Sequence, residues 1–151
     1  MTTTVTGLAE IKPLAGRDLG SSSWLEVGQE RIDAFADATG DHQWIHVDPD
    51  RAKDGPFGRT IAHGHLTLSL LTPLWNDVLD VQGIEMAVSH GLNRVRFPAP
   101  VPSGSRIRLG ATLTEVSDVP GGVQVQADLV VHCDRADRPV CVAEAVYRYY
   151  G

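Results

Sequence analysis

The stretch His63-Gly-His-Leu-Thr-Leu-Ser-Leu-Leu-Thr-Pro-Leu-Trp-Asn-Asp-Val-Leu79 decides how the rest of this 151-residue chain is read. Leu66, Leu68, Leu70, Leu71, Leu74, Trp75, Val78 and Leu79 fall at spacings that surround a helix axis, and a helix apolar on nearly all sides is expected to be buried on nearly all sides. Pro73 removes one backbone donor and should kink that helix. A chain of this length can enclose such a helix in a single hydrophobic core without metals or disulfides.

What encloses it is written downstream, where the apolar period changes from helical to two. Ile107, Leu109, Ala111 and Leu113 alternate with Arg106, Arg108, Thr112 and Thr114. Val123, Val125, Ala127, Leu129 and Val131 alternate with more polar residues, and Val140 to Tyr150 is rich in β-formers. Gly121-Gly122 and Ala136-Asp137 read as hairpin turns. Glu85 to Phe97 reads as a further strand bent at Gly91, ended by Pro98-Ala-Pro-Val-Pro102 because proline cannot donate to a ladder. Helices first and a meander of long strands after predict an α+β domain, a long antiparallel sheet wrapped around one central buried helix. Such a sheet has open edges, so pairing with a second copy is expected.

Upstream, residues 1–22 are polar, small and weakly patterned, and read as a loosely held N-terminal arm of a single domain spanning 1–151. Trp24 to Val27 fits a short strand. Gln29 to Thr39 fits a helix, with Ile32, Phe35 and Ala36 on one face and Gly40 as its stop. Asp48-Pro49 resembles an N-cap followed by proline at the first helical position.

The formal net charge of −6 argues against general nucleic-acid binding, which needs a basic face, although a local basic patch would suffice for an anionic carrier. No apolar run approaches a membrane span, and the N-terminus has no signal-peptide pattern, so a cytoplasmic protein is expected. Cys133 and Cys141 flank a turn-like stretch and are expected as buried thiols. No Cys/His spacing suggests a metal site.

Two stretches carry chemistry. In Thr39-Gly-Asp-His-Gln-Trp-Ile-His-Val-Asp48, Asp41 and His46 lie just past a helix end, close enough along the chain to face one point. A carboxylate and an imidazole together can take a proton from water and return one to carbon. The competing structural reading is that Asp41 caps a turn and His46 is solvated. In Gly58-Arg-Thr-Ile-Ala-His-Gly-His-Leu-Thr-Leu-Ser69, Gly64 opens the buried helix. Its free backbone N–H and lack of a side chain suit a site for an oxygen gaining negative charge, or simply a tight turn. One of His63 and His65 is expected to hydrogen-bond the loop bearing Asp41. Asn93 shares strand parity with Val95 and Phe97 and is expected to face the core or pocket. Arg94, Arg96, Arg106 and Arg108 are candidates for phosphate contacts or, more simply, a solvated strand face.

Together, Gly40-Asp41, His46 and Ala62-His63-Gly64 resemble the MaoC-like family of (R)-specific enoyl-CoA hydratases. Gly-Asp-His-Gln-Trp-Ile-His, Pro56-Phe57-Gly58 and Gly91-Leu-Asn-Arg-Val-Arg-Phe97-Pro-Ala-Pro100 are similar to its nodulation protein N-like branch. The resemblance runs from about Trp24 to Tyr149. It implies a hot-dog fold, a homodimer, Asp41 and His46 as catalytic residues, and the Gly64 N–H as oxyanion donor. The implied activity is that of a lyase of fatty acid metabolism: reversible addition of water to trans-2-enoyl-CoA to give (R)-3-hydroxyacyl-CoA. No cofactor is implied, coenzyme A being part of the acyl-thioester substrate. The chain departs from many members at Gln43-Trp44 (often Asn-Pro), at His65 (often Met or Phe) and at Thr72 (serine in some), which bears on pocket shape more than on reaction type. The alternatives are a hot-dog acyl-CoA thioesterase, which would release free thiol, and a non-catalytic acyl-thioester binding module, which would not need Asp41 and His46.

Overall fold

The alternating pattern past Ser105 becomes three long antiparallel strands in the computed structural model, which describes residues 1–151. They are β6 (Ser105–Val119), β7 (Gly122–Cys133) and β8 (Cys141–Tyr150). β5 (Met86–Arg96) pairs with β8 at one edge of the sheet. β2 (Asp18–Ser21) and β3 (Leu25–Val27) both pair with β6 at the other. The order β2-β6-β7-β8-β5 makes a six-stranded sheet with β3 off the path. The turn between β6 and β7 falls at Pro120-Gly121, one residue before the expected pair, with Gly121 at φ +78°. Gly122 is needed for space: a Cβ there would lie 2.1 Å from the Tyr149 carbonyl oxygen.

One face of this sheet is the core. Ile107, Leu109 and Leu113 of β6, Val123 to Val131 on alternate positions of β7, and Ala143, Ala145, Tyr147 and Tyr149 of β8 are all buried. Alanines at 111, 127, 143 and 145 keep the face shallow there, so the helical layer can approach closely. The opposite face carries polar pairs such as Gln126 with Glu144 and Arg148 with Gln124. Cys133 and Cys141 are buried free thiols, and burial pushes the Cys141 thiol up to about 11.

The apolar stretch that opened the reading is two helical pieces, α4 (Gly64–Ser69) and α5 (Leu71–Val78). Before them come α1 (Gln29–Thr39), α2 (Trp44–Val47) and α3 (Pro49–Ala52). The break at Leu70 follows from Pro73, which offers no N–H to the Ser69 carbonyl and crowds it with its ring. The helix is not buried on all sides: His65, Ser69, Thr72, Pro73 and Asn76 form an exposed stripe in the single chain. Leu66, Leu70, Leu71, Leu74, Trp75 and Val78 face the sheet side, where the Trp75 indole N–H donates to the Tyr149 hydroxyl at 2.7 Å and the ring stacks on Tyr147.

Residues 1–22 are not a loose arm. β1 (Thr3–Thr6) runs parallel to β4 (Leu79–Gln82), the segment that leaves α5, and β2 joins the main sheet. Val5, Ile11, Leu14 and Leu19 are buried in the common core. No helix is long and apolar enough to cross a membrane.

Asn93 also departs from expectation. β5 shifts register at Gly91, as the sequence suggests, but again between Asn93 and Arg96, where Arg94 adopts φ +54°. The extra residue cancels the parity with Val95 and Phe97. Asn93 pairs with Glu144, so it shares the outer face and is exposed.

Candidate functional site

The site is assembled by main-chain hydrogen bonds between short elements. α1 ends at Gly40, whose φ of +80° lets its N–H close back on Ala36. Asp41 follows, exposed, its carboxylate in only a long 3.4 Å contact with the Gln43 N–H. His46 lies on the one-turn helix α2 and is 7% exposed, so it is not a solvated loop residue. Asp48 then caps α3 by accepting the Arg51 N–H at 3.1 Å, with Pro49 at the first position, as expected.

A short network of hydrogen bonds fixes His46. Its Nδ1 lies 2.7 Å from the Ile61 carbonyl oxygen. The Gln29 side-chain amide donates to the His46 carbonyl at 2.7 Å and accepts from the buried Thr60 hydroxyl at 2.5 Å. The Ile61 N–H in turn donates to the Ile45 carbonyl at 3.0 Å. Because a carbonyl only accepts, the ring of His46 carries its proton on Nδ1, and in the neutral ring Nε2 presents a lone pair.

His63, the residue before α4, is 3% exposed. Its Nε2 lies 3.0 Å from the Asp41 carbonyl oxygen, so by the same reasoning Nε2 is the donor. The expectation that one of two histidines holds the Asp41 loop is met by His63; His65 is exposed. The His63 ring stacks on His46 with centroids 3.9 Å apart and tilts against Phe35 at 4.9 Å. Its Nδ1 is buried with no hydrogen-bond partner.

The potential ligand atoms of Asp41, His46 and His63 lie within 4.8 Å of one another. Histidine binds a metal in the plane of its ring at roughly 2.0–2.1 Å. Two rings stacked with 22° between their planes do not aim their lone pairs at one point, so this arrangement is not a preformed metal centre.

Two cavities meet at the cluster. One, of about 300 Å³, is mostly apolar and is lined by Phe57, Ile61, Ala62, Thr67, Phe97 to Val101 and Val140. The other, of about 470 Å³, is lined mainly by polar residue types, Thr39, Asp41, His63, His65 and Ser69, together with Phe35. His46 and Gly64 stand in the walls of both. Gly64 heads α4, where no carbonyl lies one turn back to take its N–H. A Cβ on Gly64 would sit 3.0 Å from the Phe97 ring, so glycine serves close approach there.

Of the sequence-predicted residues, Asp41, His46 and Gly64 are thus brought together, and Asn93 is not: it lines neither cavity. Arg106 bonds Asp134 and, with Arg108, lies over the Trp24 ring, the solvated-face reading. His42 bonds the Asp37 carboxylate at 3.0 Å, which raises its pKa, and is not part of the Asp41–His46–His63 cluster. Gln29 and Thr60 were missed by sequence reading. Their only sequence signal is two polar residues at positions that the helix period and the short apolar run Ile61-Ala62 would bury.

Residues 10–133 match the MaoC-like domain family, and the chain belongs to that family. It is similar to 3-hydroxyacyl-thioester dehydratase Z of Mycobacterium tuberculosis, 49% identical over 147 residues that cover 97% of each chain. It is also similar to nodulation protein N of Rhizobium leguminosarum bv. viciae, 42% identical over 139 residues, covering 90% of this chain and 86% of the relative. The fold matches the unliganded (R)-hydratase of Pseudomonas aeruginosa with TM-score 0.71 and 24% identity, over 88% of this chain and 79% of that one. The fold is therefore the hot-dog fold that the sequence implied.

Proposed function

We propose that this protein is a hydratase/dehydratase that adds water reversibly to a trans-2-enoyl thioester, giving the (R)-3-hydroxyacyl thioester. The observation that carries the reading is the state of His46: Nδ1–H is spent on the Ile61 carbonyl, which leaves Nε2 as a base beside Asp41, at the junction of an apolar cavity and one lined mainly by polar residues. The dehydratase relative at 49% identity supports the same reaction class.

In this reading the acyl chain enters the apolar cavity and the thioester sits by Gly64. A water held between Asp41 and His46 adds its oxygen to carbon 3 and gives up one proton to the pair. The electron pair of the double bond moves onto the thioester as an enolate, whose oxygen takes the Gly64 N–H. Carbon 2 then takes a proton from the pair, so that one water is added and the two side chains return to their starting states. The residues supply all the proton chemistry, and coenzyme A enters only as part of the substrate. We assign a cytoplasmic homodimer: β5 is an edge strand with Met86, Val88 and Leu92 exposed, a surface that a second copy would cover.

The test is hydration of crotonyl-CoA followed at the enoyl absorbance, with a thiol reagent present in a parallel assay. Loss of the enoyl signal without thiol release, abolished in Asp41→Asn, is the expected result. Release of free coenzyme A would instead make the protein a thioesterase, and turnover unaffected by Asp41→Asn would remove the pair from the chemistry.

A further inference from the structure

Beside the proposed acid–base pair stands a second buried histidine, His63, bonded to the Asp41 loop. His63 is more deeply buried than His46, and its ring is stacked on that of His46. Its single polar bond runs to the backbone of Asp41 rather than to its side chain. Asp41 itself is exposed and has only the long contact to the Gln43 N–H to hold it. An exposed carboxylate on a four-residue connection between α1 and α2 samples many positions unless its main chain is pinned. Catalysis by proton transfer depends on that position within a fraction of an ångström.

We propose that His63 is the positioning residue of the site: its Nε2–H pins the Asp41 main chain while its ring face fixes the plane of His46, so that one side chain sets the relative geometry of both. The inference rests on the reading of Asp41 and His46 as the working pair. It differs from a packing role for His63, which any ring or branched side chain of similar size would fill. His63 does not touch the reacting atoms; it acts through Asp41 and His46.

A buried imidazole is an expensive way to fill space. It keeps one nitrogen, Nδ1, without a partner, a cost a phenyl ring in the same place would avoid. The donor at the far end of the ring is what phenyl lacks. Phe35, already against the ring at 4.9 Å, marks the surroundings as apolar enough to accept phenyl.

The experiment compares His63→Gln, His63→Asn and His63→Phe with wild type and with Asp41→Asn, by kcat and KM for crotonyl-CoA and by thermal melting. A glutamine amide reaches the position of Nε2; an asparagine amide stops near Nδ1. Expected is that His63→Gln retains most of kcat, whereas His63→Asn and His63→Phe lose about thirtyfold or more in kcat with KM little changed, an effect within the range for misplaced reacting groups. In the Asp41→Asn background, His63→Asn should cost little further kcat, because the two act through one element. Equal activity of the Gln and Asn variants, full activity of His63→Phe, or additive losses with Asp41→Asn would each overturn the positioning role. If the phenylalanine variant does not fold, the Gln/Asn pair still decides. Full activity of Asp41→Asn alone would overturn the underlying reading instead, which keeps the two failures apart.

Discussion

Along the inner face of β7, Val123, Val125, Ala127, Leu129 and Val131 are buried without a polar side-chain atom among them. Around the junction of the cavities the chain instead buries His46, Thr60, His63 and Thr67. The first surface is ordered by packing, which tolerates small shifts as long as volume is kept. The second is ordered by directed bonds to main-chain carbonyls of Ile61, Asp41 and His46, which fix angles as well as distances. The difference teaches where stability and chemistry reside in this small protein: the sheet makes the fold cohere, and a few directional contacts on its rim make a base.

That contrast can be broken by exchanging the readouts. His46→Gln and Asp41→Asn should each lower kcat by roughly 10²–10⁴-fold, the range for a general acid–base group, with melting little changed. A variant that melts like wild type and turns over like wild type would erase the distinction. Leu113→Ala is the mirror experiment. Leu113 is 0% exposed, and the truncation should cost about 2–5 kcal/mol in denaturant unfolding while the folded fraction keeps its kcat. A specific fall in kcat would mean that the sheet sets the site's geometry more directly than the bonding suggests.

Gly64→Val sharpens the comparison, because this residue belongs to both regions: it begins the buried helix and lines both cavities. The new side chain must displace the Phe97 ring, and we expect about a hundredfold loss of kcat, the scale of a lost oxyanion donor. Near-normal turnover would take Gly64 out of the chemistry.

The smallest effect concerns the packed side alone. Burial pushes Cys141 up to about 11 and, less the opposing bond from Trp75, Tyr149 up to about 12. Both groups are uncharged when protonated, so folding favours the protonated forms. Their contribution is complete below the unfolded values and is lost as pH rises through the folded ones. Melting temperature should therefore hold from neutral to about pH 9 and fall above it. Cys141 should react with a thiol reagent only as the chain unfolds; rapid reaction of the native protein would contradict its burial.

Legibility in the sequence follows the same divide. β6, β7 and β8 were readable because one buried face imposes a strict period of two, and α4–α5 because leucines cluster at helical spacing. The open stripe of His65, Ser69, Thr72 and Asn76 was also written there, but the leucines outweighed it. Residues 1–22 were misread for a physical reason. Val5 and Leu19 are single anchor points on two short strands, Ile11 sits between two 3-10 turns and Leu14 ends the second, so no period connects them. The facing of Asn93 failed at a bulge whose left-handed residue is Arg94 rather than glycine, leaving no turn signal to read. At the site, Asp41, His46 and Gly64 were visible by residue type and spacing. The clamp by Gln29 and Thr60 was not, since a side chain that bonds a distant main chain leaves no trace in either partner's neighbours.

The parallel pairing of β1 with β4 bears on the order in which the molecule can be built. Thr3 finds its partner only at Leu79, and β2 only at Gly110 to Thr112. A ribosome delivers the chain from its N-terminus, so the first strands emerge long before anything exists for them to pair with. They must wait, extended and solvated, until the helix and then the far strand have been synthesised. The polar, threonine-rich character of Met1-Thr-Thr-Thr-Val-Thr6 suits that wait: it leaves little apolar surface to associate wrongly before Leu79 to Gln82 arrive. What looks in the finished protein like a modest two-stranded ribbon is, in the life of the chain, among the last pieces of the N-terminal half to be put in place.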